Sequence, residues 1–386
     1  MGRQAWCARR FQVLSLGDET LRISITLSTY LARQFLLAFF GILAAIMVVI
    51  FFADVIELLR RVAAKDDVSF SAVLRMALLK LPFMMQQSFP FVALFATLLV
   101  FWRLSRSHEL TVIRASGISA WQFLLPLLVL AVILGVLQTT VFHPFASAAL
   151  ARFERLETVM IDRNVNTLAL SSSGLWLRQA SKEGQAVVHA RHALQRENNV
   201  ELRGVTVFRY KGNDAFVGRI DAAFVTLDHG AWLMRDAWIY VPEQPAEFKS
   251  EYMLATDLTL ERIQDGFARP ETISFWQLPG FIRTLEAAGF SAVGHRLHLQ
   301  AMLAAPLLMV AMVLVAAPLS LRHGRRGGMA YIIAGGVLTG FMLHFMSDLV
   351  SAFGLSDRIP VVLAAWTPST VATLLGAAFL LHLEDG

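Results

Sequence analysis

Apolar and polar positions fall along this chain in long blocks. Six stretches contain no Lys, Arg, Asp or Glu: residues 35–53, 81–102, 115–142, 297–321, 327–347 and 359–383, which are 19, 22, 28, 25, 21 and 25 residues long. A helix needs about 20 apolar residues to cross roughly 30 Å of hydrocarbon, so each stretch can span a bilayer. Six transmembrane helices is the direct reading, because buried helices of a soluble protein seldom repeat at this length. Just ahead of the first stretch, residues 27–36 carry Tyr30 and Arg33 on an otherwise apolar helix, which suits an interfacial lead-in to the membrane. No small-residue cleavage site precedes it and a full-length span follows, so residues 1–26 read as an N-terminal extension, poorly ordered over 1–20, rather than a signal peptide.

Between the third and fourth stretches lie 154 residues, 143–296, enough for a domain of ordinary size. Here the pattern changes to β-branched and polar alternation. Within 231–241, Trp232, Met234, Trp238 and Tyr240 fall on one face and Arg235 on the other. Similar runs at 168–177, 186–194, 202–210 and 216–227 are separated by turn signals such as Lys211-Gly212-Asn213-Asp214 and Asp228-His229-Gly230. Strands so spaced, with no helical pattern between them, predict an antiparallel sandwich, jelly roll or open barrel. The spacing also predicts a helix over 145–162, descending from the third span. A second, amphipathic helix is predicted over 273–288, with Phe275, Leu278, Phe281, Ile282 and Leu285 on one side. The fold class is therefore an α-helical membrane protein of six spans with an inserted all-β domain. Its divisions are an extension (1–26), three spans (27–142), the β-domain with flanking helices (143–296) and three further spans (297–386). The sheet interior is either filled by its own aromatics or open to an apolar ligand, which would then meet Trp232 and Trp238.

Composition agrees with the bilayer reading: 56% of the 386 residues are hydrophobic and only 16% are charged, well below the roughly one quarter of a soluble protein. The net charge of +5 and a pI near 9.6 raise the question of nucleic acid, which the placement of the charges answers. With the N-terminus inside, the inner segments carry 11 basic and 5 acidic residues and the outer segments 23 and 24. The positive-inside rule then places both termini in the cytoplasm and 143–296 outside, and no basic face for nucleic acid remains. The first outer loop, 54–80, departs from this pattern with five basic residues. The single cysteine, Cys7, permits neither an internal disulfide nor a cysteine-based metal cluster.

No catalytic signature is present. Gly is never followed by Lys, so the P-loop that binds ATP is missing, and GxSxG and HExxH are absent as well. His189 and His192, three apart on a strand, face opposite sides, and His295 and His298 sit at the head of the fourth span as interfacial positions rather than metal ligands. Two places are informative. In the inner loop 103–119, Ser107 is placed to cap a short helix whose first turn holds Glu109, Ser116-Gly117 breaks it and Ser119 starts the next. Glu109 is the only acid in the two short inner loops; it either caps that helix and pairs with Arg106 or makes a docking contact to a cytoplasmic partner. The second place is Arg60, Arg61 and Lys65 beyond the first span, which form either a solvated helix end beside Asp54 and Glu57 or an anion-binding rim where guanidinium forks hold phosphates.

These residues carry a resemblance. The lead-in Tyr30-Leu31-Ala32-Arg33-Gln34-Phe35-Leu36, the loop Ser107-His108-Glu109-Leu110 with Arg114-Ala115-Ser116-Gly117-Ile118, Ala304-Ala305-Pro306-Leu307 in the fourth span and the three-span, large-domain, three-span layout resemble the LptF/LptG (YjgP/YjgQ-like) permeases of lipopolysaccharide-export ABC transporters, more the LptG branch, over nearly the whole chain from about Leu27. The resemblance implies a heterodimer with a second homologous permease, a cytoplasmic ABC ATPase dimer that binds the ATP and Mg, and a periplasmic β-jellyroll that passes lipid A acyl chains to periplasmic bridge proteins. It implies that the helix with Glu109, flanked by Arg106 and Arg114, couples to that ATPase, and that Arg60 and Arg61 are the nearest match to basic residues that contact lipopolysaccharide phosphates. The chain itself would hold no cofactor and be a transporter subunit rather than an enzyme. An ion-coupled secondary carrier is the main rival, yet the six spans carry no acidic or basic residue of the kind such a carrier places along its pathway. A membrane-anchored periplasmic lipid-binding or scaffold protein would need fewer spans.

Overall fold

A computed structural model describes residues 25–63, 69–158, 160, 168–171, 174–181, 184–196, 199–211, 215–228, 230–256, 268–287, 290–323, 329–356 and 358–385. In chain order the helices are α1 (Ile25–Val62), α2 (Phe70–Arg106), the short α3 (Glu109–Ala115), α4 (Ala120–Leu137), a π-helical segment (Gln138–Phe142) and α5 (His143–Glu157). After the β-region come α6 (Leu278–Ala287), α7 (Val293–His323), α8 (Met329–Leu355) and α9 (Val361–Asp385). Among the described residues six helices are long and apolar enough to cross a membrane: α1, α2, the continuous run from α4 through α5, α7, α8 and α9. They carry the six uncharged stretches, because in such segments length and apolarity alone settle the conformation.

The chain divides into two compact units. The first, Met1–Leu58, Leu81–His143 and Gln300–Gly386, holds most of the apolar helical sequence. Its core is aromatic and thioether-rich: Phe35, Phe39, Phe101, Phe123, Met309 and Met312 are buried, with edge-on contacts between Phe39 and Phe89 (5.6 Å) and between Phe101 and Phe123 (5.7 Å). Helix pairs approach closely where a side chain is missing. A Cβ on Gly135 of α4 would lie 2.5 Å from Pro306 Cα on α7, and one on Gly376 of α9 would lie 2.9 Å from the backbone of Leu314. Small residues at helix contacts are the usual means of packing in lipid, where no hydrophobic effect drives association. Just past Gly135 the π-helical segment widens α4. There Thr139 Oγ1 bonds Met302 O (3.1 Å) and Gln138 Nε2 bonds Gln86 O (3.1 Å), tying the run to α7 and α2 with polar contacts buried among apolar residues.

The second unit comprises Leu59–Lys80 and Pro144–Leu299. Its centre is one antiparallel sheet of seven strands in sequence order: β1 (Leu168–Ser171), β2 (Gly174–Ser181), β3 (Gly184–Arg196), β4 (Asn199–Lys211), β5 (Ala215–Asp228), β6 (Ala231–Tyr240) and β7 (Glu247–Ala255). The run predicted as one strand over 168–177 is two, because residues 172–173 separate β1 from β2. β7 was not signalled by alternation. The sheet rolls on itself: Gln179 of β2 accepts hydrogen bonds at Oε1 from Trp232 Nε1 of β6 (3.1 Å) and from Thr256 Oγ1 just after β7 (2.7 Å). In a flat sheet β2 and β6 would be about 19 Å apart at roughly 4.8 Å per strand, so this contact requires strong curvature.

A crease crosses the sheet along the matched positions 191, 204, 223, 236 and 250. On β4 the buried positions are Leu202, then Val205 and Val207; on β5, Ile220 and Ala222, then Val225 and Leu227; on β6, Trp232 and Met234, then Ala237. The alternation thus changes phase by one residue at the crease. Gly204 (φ 62°) and Asp236 (φ 54°) adopt left-handed backbone there. This corrects the expectation that Trp232, Met234, Trp238 and Tyr240 share a face: the first two are buried and the last two are exposed, because a one-residue phase change sends every later side chain to the other side.

The helix predicted over 273–288 begins later. Pro270–Thr272 is a turn of 3-10 helix, Ser274 O accepts from the N–H groups of Gln277 and Leu278, and α6 starts at Leu278 with Pro279 in its first turn, where the missing N–H costs nothing. Phe275 therefore precedes the helix, while Leu278, Ile282 and Leu285 form its buried side. The helix predicted over 145–162 is α5, which continues the preceding span and runs to Glu157; residues 159, 161 and 162 lie outside the described residues.

Candidate functional site

The loop between α2 and α4 folds as an elbow around α3. The last turn of α2 closes with Ser107 N–H to Arg103 O (3.0 Å) and His108 N–H to Ser105 O (3.3 Å), and His108 then turns into the left-handed region (φ 61°). That reversal starts α3 at Glu109, with the N–H groups of Thr111 and Val112 bonded to His108 O. Gly117 (φ 78°) ends α3, and Ser119 caps α4 in a reciprocal box with Gln122 (3.4 and 3.3 Å), as the sequence predicts. Ser107 does not cap α3. Its hydroxyl instead donates to Glu109 Oε1 at 2.9 Å.

The other oxygen of Glu109 is also occupied. Tyr30 Oη donates to Glu109 Oε2 at 2.9 Å; Gln34 Nε2 donates to Tyr30 Oη at 3.2 Å, and Arg103 Nη1 donates to Gln34 Oε1 at 3.4 Å. Every donor in this series points toward the carboxylate, so the bonds polarise one another in the same sense. The cluster joins the start of α1, the end of α2 and α3 within one unit. The pair between Arg106 and Glu109, one of the two alternatives read from the sequence, is replaced by this arrangement: Arg106 lies over the Trp102 ring, 5.4 Å from its centroid. Leu110 buries the inner side of α3, while Thr111, Val112 and Ala115 are exposed, Val112 to 69%. Arg114 is on α3, and its side chain lies outside the described residues. Sequence reasoning singled out Glu109 but not Tyr30, Gln34 or Arg103 as its companions. The available signal was a phenol and an amide four residues apart, Tyr30 and Gln34, on one side of the lead-in helix.

The remaining candidate residues fall in the other unit. Arg60 and Arg61 occupy the last turn of α1, and Arg61 Nη1 lies 3.4 Å from Glu157 Oε1 at the end of α5, so this guanidinium is engaged by a carboxylate; Lys65 lies outside the described residues. Trp232 is fully buried and hydrogen-bonded to Gln179, a core residue of the rolled sheet. Trp238 is 45% exposed and packs on Phe248 at 5.2 Å, in a surface patch that also holds Tyr240. Among the described residues no group of His, Cys, Asp or Glu is arranged to hold a metal ion. His295 Nε2 bonds Ala268 O (3.0 Å), and His189 lies against Trp176 (4.2 Å between centroids).

In the helical unit, a cavity of about 880 Å³ opens among α7, α8 and α9, lined by Pro318, Met342, Met346, Val371, Leu375 and other apolar side chains, with His382 near one end. Six helices long and apolar enough to cross a membrane, interrupted among the described residues by one antiparallel β-region, define a polytopic membrane protein. Residues 29–382 match the family described as lipopolysaccharide export system permease LptF/LptG, and the chain belongs to that family. It is 22% identical over 318 residues to the lipopolysaccharide export system permease protein LptG of Escherichia coli strain K12, an alignment that covers 79% of this chain and 84% of that protein. The LptG of Escherichia coli O6:H1 strain CFT073 matches to the same extent.

Proposed function

We propose that this chain is the LptG-type half of a permease that extracts lipopolysaccharide from the outer leaflet of the bacterial inner membrane and delivers it to periplasmic bridge proteins. A cytoplasmic ABC ATPase dimer that binds ATP and Mg supplies the work, and a second, homologous permease completes the membrane unit. Membership of the permease family carries this reading, and the elbow supports it: α3 projects an exposed apolar residue, Val112, from a segment whose basic flanks assign it to the cytoplasm. The inserted sheet then lies in the periplasm, where its exposed aromatic patch around Trp238 and Phe248 suits contact with acyl chains or with a bridge protein. Apolar lining in the 880 Å³ cavity is consistent with lipid as cargo.

Coupling proceeds as rigid-body motion. A push on α3 reaches α2 and α4 through short, hydrogen-bonded connections, and helices packed as closely as α4 and α7 move together. The test is isolation of the tagged full-length chain from its native membrane. Stoichiometric recovery of an ATPase and a second permease supports the proposal; recovery of the chain alone overturns it and favours an ion-coupled carrier or a lipid-binding scaffold.

A further inference from the structure

The hydrogen bonding of Glu109 bears on how α3 is held, and the inference drawn from it rests on the coupling role just proposed. A helix of seven residues has no stability of its own and takes its position from its anchors. Left-handed residues, His108 and Gly117, flank α3. Two side chains of its first turn anchor it to the helices around it. Leu110 is buried in the helical core, and Glu109 is gripped at both oxygens, by Ser107 from the end of α2 and by Tyr30 from the start of α1. Glu109 is therefore turned toward its own chain, whereas Thr111 and Val112 face outward.

We infer that Tyr30 is a positioning residue that latches α3 to the first span. Its phenol ties the Glu109 carboxylate to α1, and Gln34 and Arg103 brace the phenol from behind. A displacement of α3 is then delivered to α1 as well as to α2 and α4.

A double-mutant cycle in the complete transporter, reconstituted in vesicles containing lipopolysaccharide, tests the latch. Tyr30→Phe removes one oxygen and keeps the ring. The expected result is unchanged recovery of the ATPase and about a tenfold fall in lipopolysaccharide released per ATP hydrolysed, the factor at the lower end of what one hydrogen bond to a charged group supports. In the Glu109→Ala background Tyr30→Phe has no further effect, since the two residues act as one unit. Gln34→Leu, which removes the brace but not the latch, gives a smaller loss in the same direction and none in the Glu109→Ala background. Release per ATP that is unchanged in Tyr30→Phe, or effects that simply add, overturns the latch while leaving the proposed function standing. A wild-type chain that brings down no ATPase overturns both.

Discussion

Trp232 and Trp238 lie six residues apart on one strand and make opposite predictions. Trp232 is 0% exposed and supplies the Nε1–H bond to Gln179 that holds β6 against β2, with Thr256 on the same acceptor. Trp232→Ala removes the largest fully buried side chain among the described residues and leaves Gln179 with one partner fewer. Losses of this kind cost about 3–5 kcal/mol, from burial and from the cavity left behind. At about 1.4 kcal/mol per decade, the opening of the roll becomes about 10² to 10³ times more frequent. Trp238→Ala removes a half-exposed ring whose main neighbour is Phe248, and costs under about 1 kcal/mol. The assay is amide hydrogen exchange on the full-length protein in detergent, followed through β2, β6 and β7. Exchange in those strands accelerates by two to three decades in Trp232→Ala and by less than one in Trp238→Ala. Equal acceleration in both variants, or none in Trp232→Ala, would refute the argument that the sheet closes through Gln179 and that its interior at this end is filled.

Other expectations are more local. Gly135→Ala places a methyl group against the Pro306 backbone, which cannot move aside as a side chain can; the variant lowers the unfolding temperature of the detergent-solubilised protein, by about 1–3 kcal/mol in stability, and Gly376→Ala acts the same way against Leu314. Asp236→Gly is tolerated and Asp236→Val destabilises the sheet by about 1–2 kcal/mol, because the left-handed backbone at φ 54° excludes a β-branched residue; limited proteolysis between β5 and β7 reads the difference. Arg61→Ala changes stability by less than about 1 kcal/mol in thermal unfolding, since its pair with Glu157 is half exposed on the arginine side.

The features readable from sequence were those fixed by short-range physics. Spans follow from the length of uncharged runs, and the elbow follows from Gly117 and Ser119, whose effects extend only a few residues. What stayed hidden depends on distant partners or on accumulated geometry. Tyr30 and Glu109 are 79 residues apart, and Arg61 and Glu157 are 96 apart, so no local pattern announces either contact. Alternation placed Trp232 and Met234 on one face correctly but failed beyond Asp236, because the crease is a property of five aligned strands rather than of any one. Ser107 looked like a cap and instead bonds Glu109, since a left-handed His108 takes over the start of α3.

In the coupling proposed above, the work of ATP hydrolysed by a partner reaches the lipid path through Glu109. Its most direct test is lipopolysaccharide release from vesicles that contain the purified transporter, compared between the wild-type chain and Glu109→Ala at matched protein recovery. The expected outcome is ATP-dependent release by the wild type and release per ATP at least several-fold lower in the variant, with the fold intact by proteolysis. Equal release per ATP in the two would contradict it.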